Sequence, residues 1–291
     1  MTLSVCIVIP TKDRPNYVRA ASLAALADLP DNGTLIIVDD HGDRPAQNAL
    51  ADITDPRLQV LRNMGPRGPA SARNFGVSHA KSDVILFADD DDLLKSGYVA
   101  HVTEMATKAR YGFCATQSFA DPPASLPAFH PAGQVNIASL PFNKQLGGLG
   151  CGFWVHRSDF AAVGGINPAL RVNEDTDFSI RLRTVGLKGI FETGTGMMIR
   201  QHQAMQGTSD LGQITKRSNA TDRAGYFATI LSEHADFLRT QPDADRYLRK
   251  HLVKMHAKAG QVRAGMAACG KSPILMAYFA VNYLIYRISG A

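Results

Sequence analysis

The chain has 291 residues, 45% hydrophobic and 20% charged, with 31 Lys and Arg against 26 Asp and Glu, a net charge of +5. That composition excludes a disordered chain and suits one large α/β domain, alone or with a helical appendage. The charge is uneven: residues 210–291 hold 12 Lys and Arg against 6 Asp and Glu, giving +6, so the first 209 residues carry 19 − 20 = −1.

The opening MTLSVCIVIP reads as a strand, too short and too lightly charged for a signal peptide. Its continuous apolar run, rich in β-branched residues, is the pattern of a strand buried on both faces. A polar loop TKDRP and an amphipathic helix NYVRAASLAALADL follow. TLIIVDD is a second buried strand, PAQNALADI a helix and LQVLRN a third strand. GPASARNFGVSHA is a helix, DVILFAD a fourth strand and LLKSGYVAHVTEMATKAR a further helix. Four strand–helix alternations in about 110 residues predict a doubly wound, mostly parallel sheet.

From 115 to 150 the pattern breaks into an irregular connection rich in Pro and Ala. A Gly-rich segment, a short strand, a helix and a turn come next, then an amphipathic helix NEDTDFSIRLRTVG closed by glycine. After Thr208 the chain reads as helical to its end. Cys6, Cys114, Cys151 and Cys269 form no CxxC pair, so neither a zinc site nor a disulfide framework is expected, and a cytoplasmic setting is. No stretch reaches the ~20 apolar residues that span a bilayer.

The chemistry gathers where acids follow buried strands: Asp39 and Asp40 after the second, Asp89 to Asp92 after the fourth. Ligands of such sheets collect at the carboxyl ends of strands, and a core cannot hold unpaired carboxylates. Helix capping needs one Asp, not four, and Asp92 is the one expected to cap the next helix. Crowded carboxylates suit an oxygen-loving Mg²⁺ or Mn²⁺, which leaves room for substrate phosphates. Glu174 and Asp175 open the later helix, where acids are favoured in any case. An Asp175 that faces the cleft is a general base for a hydroxyl proton. Trp154, the single tryptophan, either stacks on a sugar or fills a core. His202 stands among polar residues after a short apolar run.

In order, VCIVIPTKDRP, IIVDDHGD, GPASARNFGVSHAKSDVILFADDDD and FAAVGGINPALRVNEDTDFSIRLRTVG resemble the signatures of a family 2 glycosyltransferase of the GT-A type. The resemblance spans about residues 4–210. It implies an inverting enzyme that takes a sugar from a nucleoside-diphosphate sugar, UDP-linked, to a hydroxyl of a glycan, lipid or protein. It places a catalytic domain at 1–210, with a nucleotide-sugar half (1–115) and an acceptor half (116–210), ahead of a basic helical region at 211–291. Pro10, Thr11, Arg14, Asp39, Arg73, Asp89 and Asp90 would bind the nucleotide sugar, Asp39 through the base and Arg73 through base or phosphate. Asp91 and His202 would hold the metal, Asp175 would be the base, and Trp154 and Glu174 would lie near the acceptor. Lys12-Asp13 and DDHGD depart from the common pattern at the nucleotide pocket.

Two other readings stand beside this one: a nucleotidyltransferase, which the glycine-free TKDRP loop opposes, and a domain that binds nucleotide sugar or glycan without turnover. No G-x-G-x-x-G follows the first strand, so a dinucleotide enzyme is not expected, nor is nucleic acid as a partner. The basic, apolar C-terminal helices suggest either a peripheral contact with the inner face of a membrane or packing within a homo-oligomer.

Overall fold

The computed structural model describes residues 3–120, 123–201 and 218–288. They form two compact units, one of residues 3–140 and 144–201, the other of 141–143 and 218–288.

In the first unit the strands are β1 (Val5–Thr11), β2 (Thr34–Asp39), β3 (Leu58–Arg62), β4 (Val84–Ala88), β5 (Leu93–Leu94), β6 (Tyr111–Phe119), β7 (Gln134–Asn136), β8 (Cys151–His156) and β9 (Gly189–Arg200). They make one sheet in the order β3-β2-β1-β4-β8-β6-β9-β5, with β7 also against β9. β1 to β4, β6 and β9 point one way and β5, β7 and β8 the other. The class is the expected one: α/β, with a mostly parallel sheet.

Alternation along the strands explains the unbroken apolar runs. Val5, Ile7 and Ile9 of β1, with Leu35 and Ile37 of β2, face a core closed by α1 (Pro15–Asp28) and α4 (Tyr98–Met105). Cys6, Val8, Ile36 and Val38 face the opposite core, closed by α3 (Pro69–His79), α5 (Arg157–Ala162) and α6 (Glu174–Thr184). A strand covered on both faces has no position at which a polar side chain is free of desolvation cost. Prolines at the first turn of α1 and α3 fit there because those N–H groups lack intrahelical acceptors.

Several elements differ from the sequence pattern. The helix expected from Leu93 begins at Tyr98; Leu93 and Leu94 instead pair with Met198 and Met197 of β9. Asp92 does not cap α4. That work falls to Asp28 at the end of α1, whose carboxylate accepts from the N–H groups of Gly97 (2.5 Å) and Val99 (2.8 Å). The second helix shrinks to α2 (Ala46–Ala49). β6, β7 and β9 lie where the local pattern shows no strand.

The second unit is helical: α7 (Ala220–Glu233), α8 (Ala235–Thr240), α9 (Pro242–Lys258), α10 (Val262–Cys269) and α11 (Pro273–Ile288). Both α7 and α11 pack on α9. Val253, Ala257, Cys269, Leu275 and Phe279 form one buried cluster there, and Phe142 sets its ring edge-on to Tyr247 of α9. No helix among the described residues is long and apolar enough to cross a membrane.

Candidate active site

The site is built on the tip of β4. Asp89 to Asp92 follow its last residue, Ala88, at the carboxyl end of the parallel half of the sheet. Two networks meet there.

The first ties the tip to the end of β1. Thr11 Oγ1 donates to Asp90 Oδ2 at 2.6 Å, and Arg14 Nη1 lies 2.9 Å from both Asp90 Oδ1 and Asp91 Oδ2. Asp90 is buried, which pushes its pKa up to about 6 against the pull of Arg14. Pro10 precedes Thr11 in the strand, opposite Val38 of β2.

The second network ties the tip to α6. Arg73, 4% exposed, donates from Nη2 to Asp89 Oδ1 at 2.6 Å and holds Nη1 3.6 Å from Glu174 Oε1. Burial pushes Glu174 up to about 7; Arg73 opposes this, while Asp175 and Asp89 add to it. Asp175 is likewise raised by burial, although Thr176 steadies its charge by donating its N–H (2.6 Å) and hydroxyl (3.3 Å) to Oδ1. Oδ2 of Asp175 carries no hydrogen bond among the described residues. One oxygen is therefore held and the other is available, the arrangement a general base needs.

α6 is aimed by its neighbours. Asn74, next to Arg73 on α3, accepts from the N–H of Ile166 (2.9 Å) and donates to its carbonyl (2.7 Å). Gly165 sits at φ +69°, and a Cβ there would come within 2.9 Å of Asn74 Oδ1. Arg181 of α6 donates to the carbonyls of Val163 and Gly165 and pairs with the buried Asp177 at 2.7 Å. The two polar residues of the ARN motif thus act in different directions. Arg73 reaches the acids, and Asn74 fixes the turn that sets α6.

Asp89, Asp91 and Asp92 each offer a carboxylate oxygen within 4.8 Å of the others. Asp92 is buried and pushed up to about 8 by that burial and by Asp89 and Asp91, though Arg200 donates its N–H to it at 2.8 Å. An all-oxygen set of three crowded carboxylates fits a hard divalent cation such as Mg²⁺ or Mn²⁺.

Three positions are enclosed. Asp39 is sealed in its own loop: Oδ1 accepts from Gly42 N–H, Oδ2 from Ala46 N–H, and the side chain is buried. A carboxylate so placed shapes the loop that follows β2, and Arg62 Nη1 reaches its Oδ2 at 3.4 Å. Arg73 is closed in among the acids, between Asp89 and Glu174. Trp154, in the middle of β8 opposite Leu86, is 0% exposed and belongs to the core. His202 lies outside the described residues.

Sequence reasoning misses other groups. Arg200, at the end of β9, donates from Nε to the Asp91 carbonyl at 3.1 Å and lies between the rings of Tyr17 and Phe119, 4.9 and 4.6 Å away. Its only sequence signal is an arginine two places before His202. Gly150 precedes β8, whose register shifts between Leu86 and Ala88 so that Cys151 pairs with Ala88. A Cβ on Gly150 would fall 2.1 Å from Asp89 Oδ2. Cys151, beside Asp89, Asp92 and Asp175, has its thiol pushed up to about 12, chiefly by burial, which disfavours the thiolate.

Known proteins bear on this arrangement. The succinoglycan biosynthesis protein ExoU of Rhizobium meliloti (strain 1021) is 26% identical over 287 residues, covering 89% of this chain and 81% of its own length. The UDP-Glc:alpha-D-GlcNAc-diphosphoundecaprenol beta-1,3-glucosyltransferase WfgD of Escherichia coli is 27% identical over 101 residues, covering 35% of this chain and 38% of its own. Among solved structures, that of S. aureus TarS 1-349 in complex with UDP-GlcNAc superposes with a TM-score of 0.68 at 12% identity, over 99% of this chain and 92% of that one; it shares the fold. The description "Glycosyl transferase family 2" matches residues 6–202, which include both acid networks and the turn that joins them. The chain belongs to glycosyl transferase family 2.

Proposed function

We propose that this glycosyltransferase is a metal-dependent, inverting enzyme that moves a sugar from a UDP-sugar to a hydroxyl of a growing polysaccharide or lipid-linked glycan. The observation that supports it most is Arg73, whose guanidinium joins the acid tip of β4 to the Glu174–Asp175 pair. Donor-binding acids and a candidate base thereby share one cleft edge. The names of WfgD and of the TarS complex, each with a UDP-sugar, favour UDP. ExoU favours polysaccharide synthesis.

In this reading Asp91 and Asp89 hold Mg²⁺ or Mn²⁺, which when bound supplies positive charge to a leaving diphosphate. Pro10, Thr11 and Arg14 border the nucleotide, and Asp90 anchors Thr11 and Arg14 from beneath. Asp175 Oδ2 takes the proton of the acceptor hydroxyl as that oxygen attacks the anomeric carbon. Burial raises the proton affinity of Asp175, and Thr176 keeps its carboxylate oriented. Arg73 offsets the cost of burying Glu174 and holds the half-exposed Asp89 beside it.

The test is UDP release from UDP-sugars with Mn²⁺, alongside donor binding. Asp175→Asn is expected to lower turnover by ~10²- to 10⁴-fold with donor affinity kept. Asp91→Ala and metal chelation are expected to remove donor binding itself. Near-native turnover in Asp175→Asn would overturn the base assignment.

A further inference from the structure

The outward face of α11 is apolar except for Arg287 in its last turn. Ile274 (80% exposed), Val281, Leu284, Ile285 and Ile288 (84%) lie open, with Ala277 and Ala280 between them. Positions 274, 281, 285 and 288 recur at helical spacing and form one stripe. The opposite face, Leu275, Phe279 and Asn282, is the buried one. The stripe is therefore a second apolar surface, not the edge of the core, and it is larger than the scattered apolar residues of an ordinary surface.

What borders the stripe identifies the surface it fits. Three tyrosines of α11 each lie beneath a cation: Lys250 over Tyr278 at 4.8 Å, Arg287 over Tyr283 at 5.2 Å and Lys258 over Tyr286 at 5.5 Å. Tyrosine and long cationic side chains are the groups that straddle the boundary between hydrocarbon and charged headgroups. Beside Ile274, where the stripe begins, a cavity of about 720 Å³ is lined by Lys271 and by Arg239, Arg246 and Arg249, which pair with Asp236, Asp243 and Asp245. From Arg246 to the C-terminal residue the sequence has eight Lys and Arg and no Asp or Glu. A second copy of the chain would bring the same positive charge to the contact, whereas an anionic bilayer complements it.

We propose that the second unit docks on an anionic lipid surface, with the α11 stripe entering the interface and the bordering cations meeting headgroup phosphates. Such a helix lies in the plane of the interface and does not span it. The docking rests on the second unit alone and is independent of the transfer chemistry proposed above.

Co-sedimentation of the full chain with vesicles tests it, using phosphatidylcholine alone and phosphatidylcholine mixed with phosphatidylglycerol. Binding is expected only to the mixed vesicles, falling as NaCl rises. Val281→Asp with Ile285→Asp, both at exposed positions, is expected to reduce vesicle partition by at least ~10-fold while the melting temperature is kept. Lys258→Glu with Lys271→Glu is expected to remove the preference for phosphatidylglycerol. Equal binding of wild type and Val281→Asp/Ile285→Asp, or no binding to the mixed vesicles at low salt, overturns the proposal. So does a solution dimer that the same pair of substitutions dissolves, since the stripe then belongs to a second copy. The readout is vesicle partition, so its failure leaves the turnover assay untouched.

Discussion

Gly150 shows how closely the acid tip is fitted. The space a side chain would take is filled by the Asp89 carboxylate. That carboxylate is the far end of a side chain 41% exposed, so Gly150→Ala is expected to displace the acid without upsetting the core. Turnover should fall by up to about 10²-fold, because misplacing a reacting group by an ångström costs that much. The melting temperature should barely move. Measuring both on one preparation checks the claim; a large loss of stability would show that the backbone yields instead. The sequence announced the acids but not their fit. Asp89 to Asp92 were legible because four like charges after a buried strand have no place in a core. The closure of Asp39 and Arg73 was not legible, because it depends on partners as far away as Ala46 and Glu174. Composition likewise left Trp154 open between stacking and packing, and only its place in β8 decides for packing.

Among the elements, α3 joins the two halves of the site. Arg73 and Asn74 are consecutive, so one turn of helix reaches both β4 and the turn before α6. Asn74→Ala removes the partners of a buried residue's N–H and carbonyl at once. Loss of about 1–3 kcal/mol is expected from the unsatisfied groups, together with a fall in turnover, because α6 carries Asp175. Urea denaturation and UDP release, taken together, measure the two effects. Strand legibility follows the same physics. β1, β2 and β4 are covered on both faces and show as unbroken apolar runs. β9 has Gly194 and Gly196 and alternates with threonine, and its partner β6 shifts register around Ala115. Such a strand is held by neighbours that a local pattern does not contain. β5, two residues long, is hidden inside what reads as the start of a helix.

Across the molecule, one buried carboxylate links the irregular stretch after β6 to the sheet. Glu192 of β9 is 0% exposed. It accepts from the N–H groups of Ala132, Gly133 and Gly194 at 2.9, 3.1 and 2.8 Å, and pairs with His101 at 2.9 Å. Burial works against its charge, yet these donors hold its pKa below the usual carboxylate range. A depressed pKa means the folded state favours the ionised form. The stabilisation is complete above the unfolded value of ~4.3 and is lost as pH falls through the lower folded value. Glu192→Gln is therefore expected to lower stability at neutral pH and to flatten its decline in acid. Thermal melts of both proteins between pH 3 and 7 check this; parallel acid limbs would show that other groups govern it.

The reversed direction of β8 has a consequence for variation among relatives. Because the strand runs opposite to β4, the segment that leads into it, residues 144–150, arrives at the acids, while His156 lies at the other end of the strands, opposite Val84. Insertions or deletions before Cys151 alter what borders the acid cluster while the pairing of β8 with β4 and β6 is kept. Lengthening or trimming that entry loop is thus a way to change the surroundings of the acids on an unchanged framework.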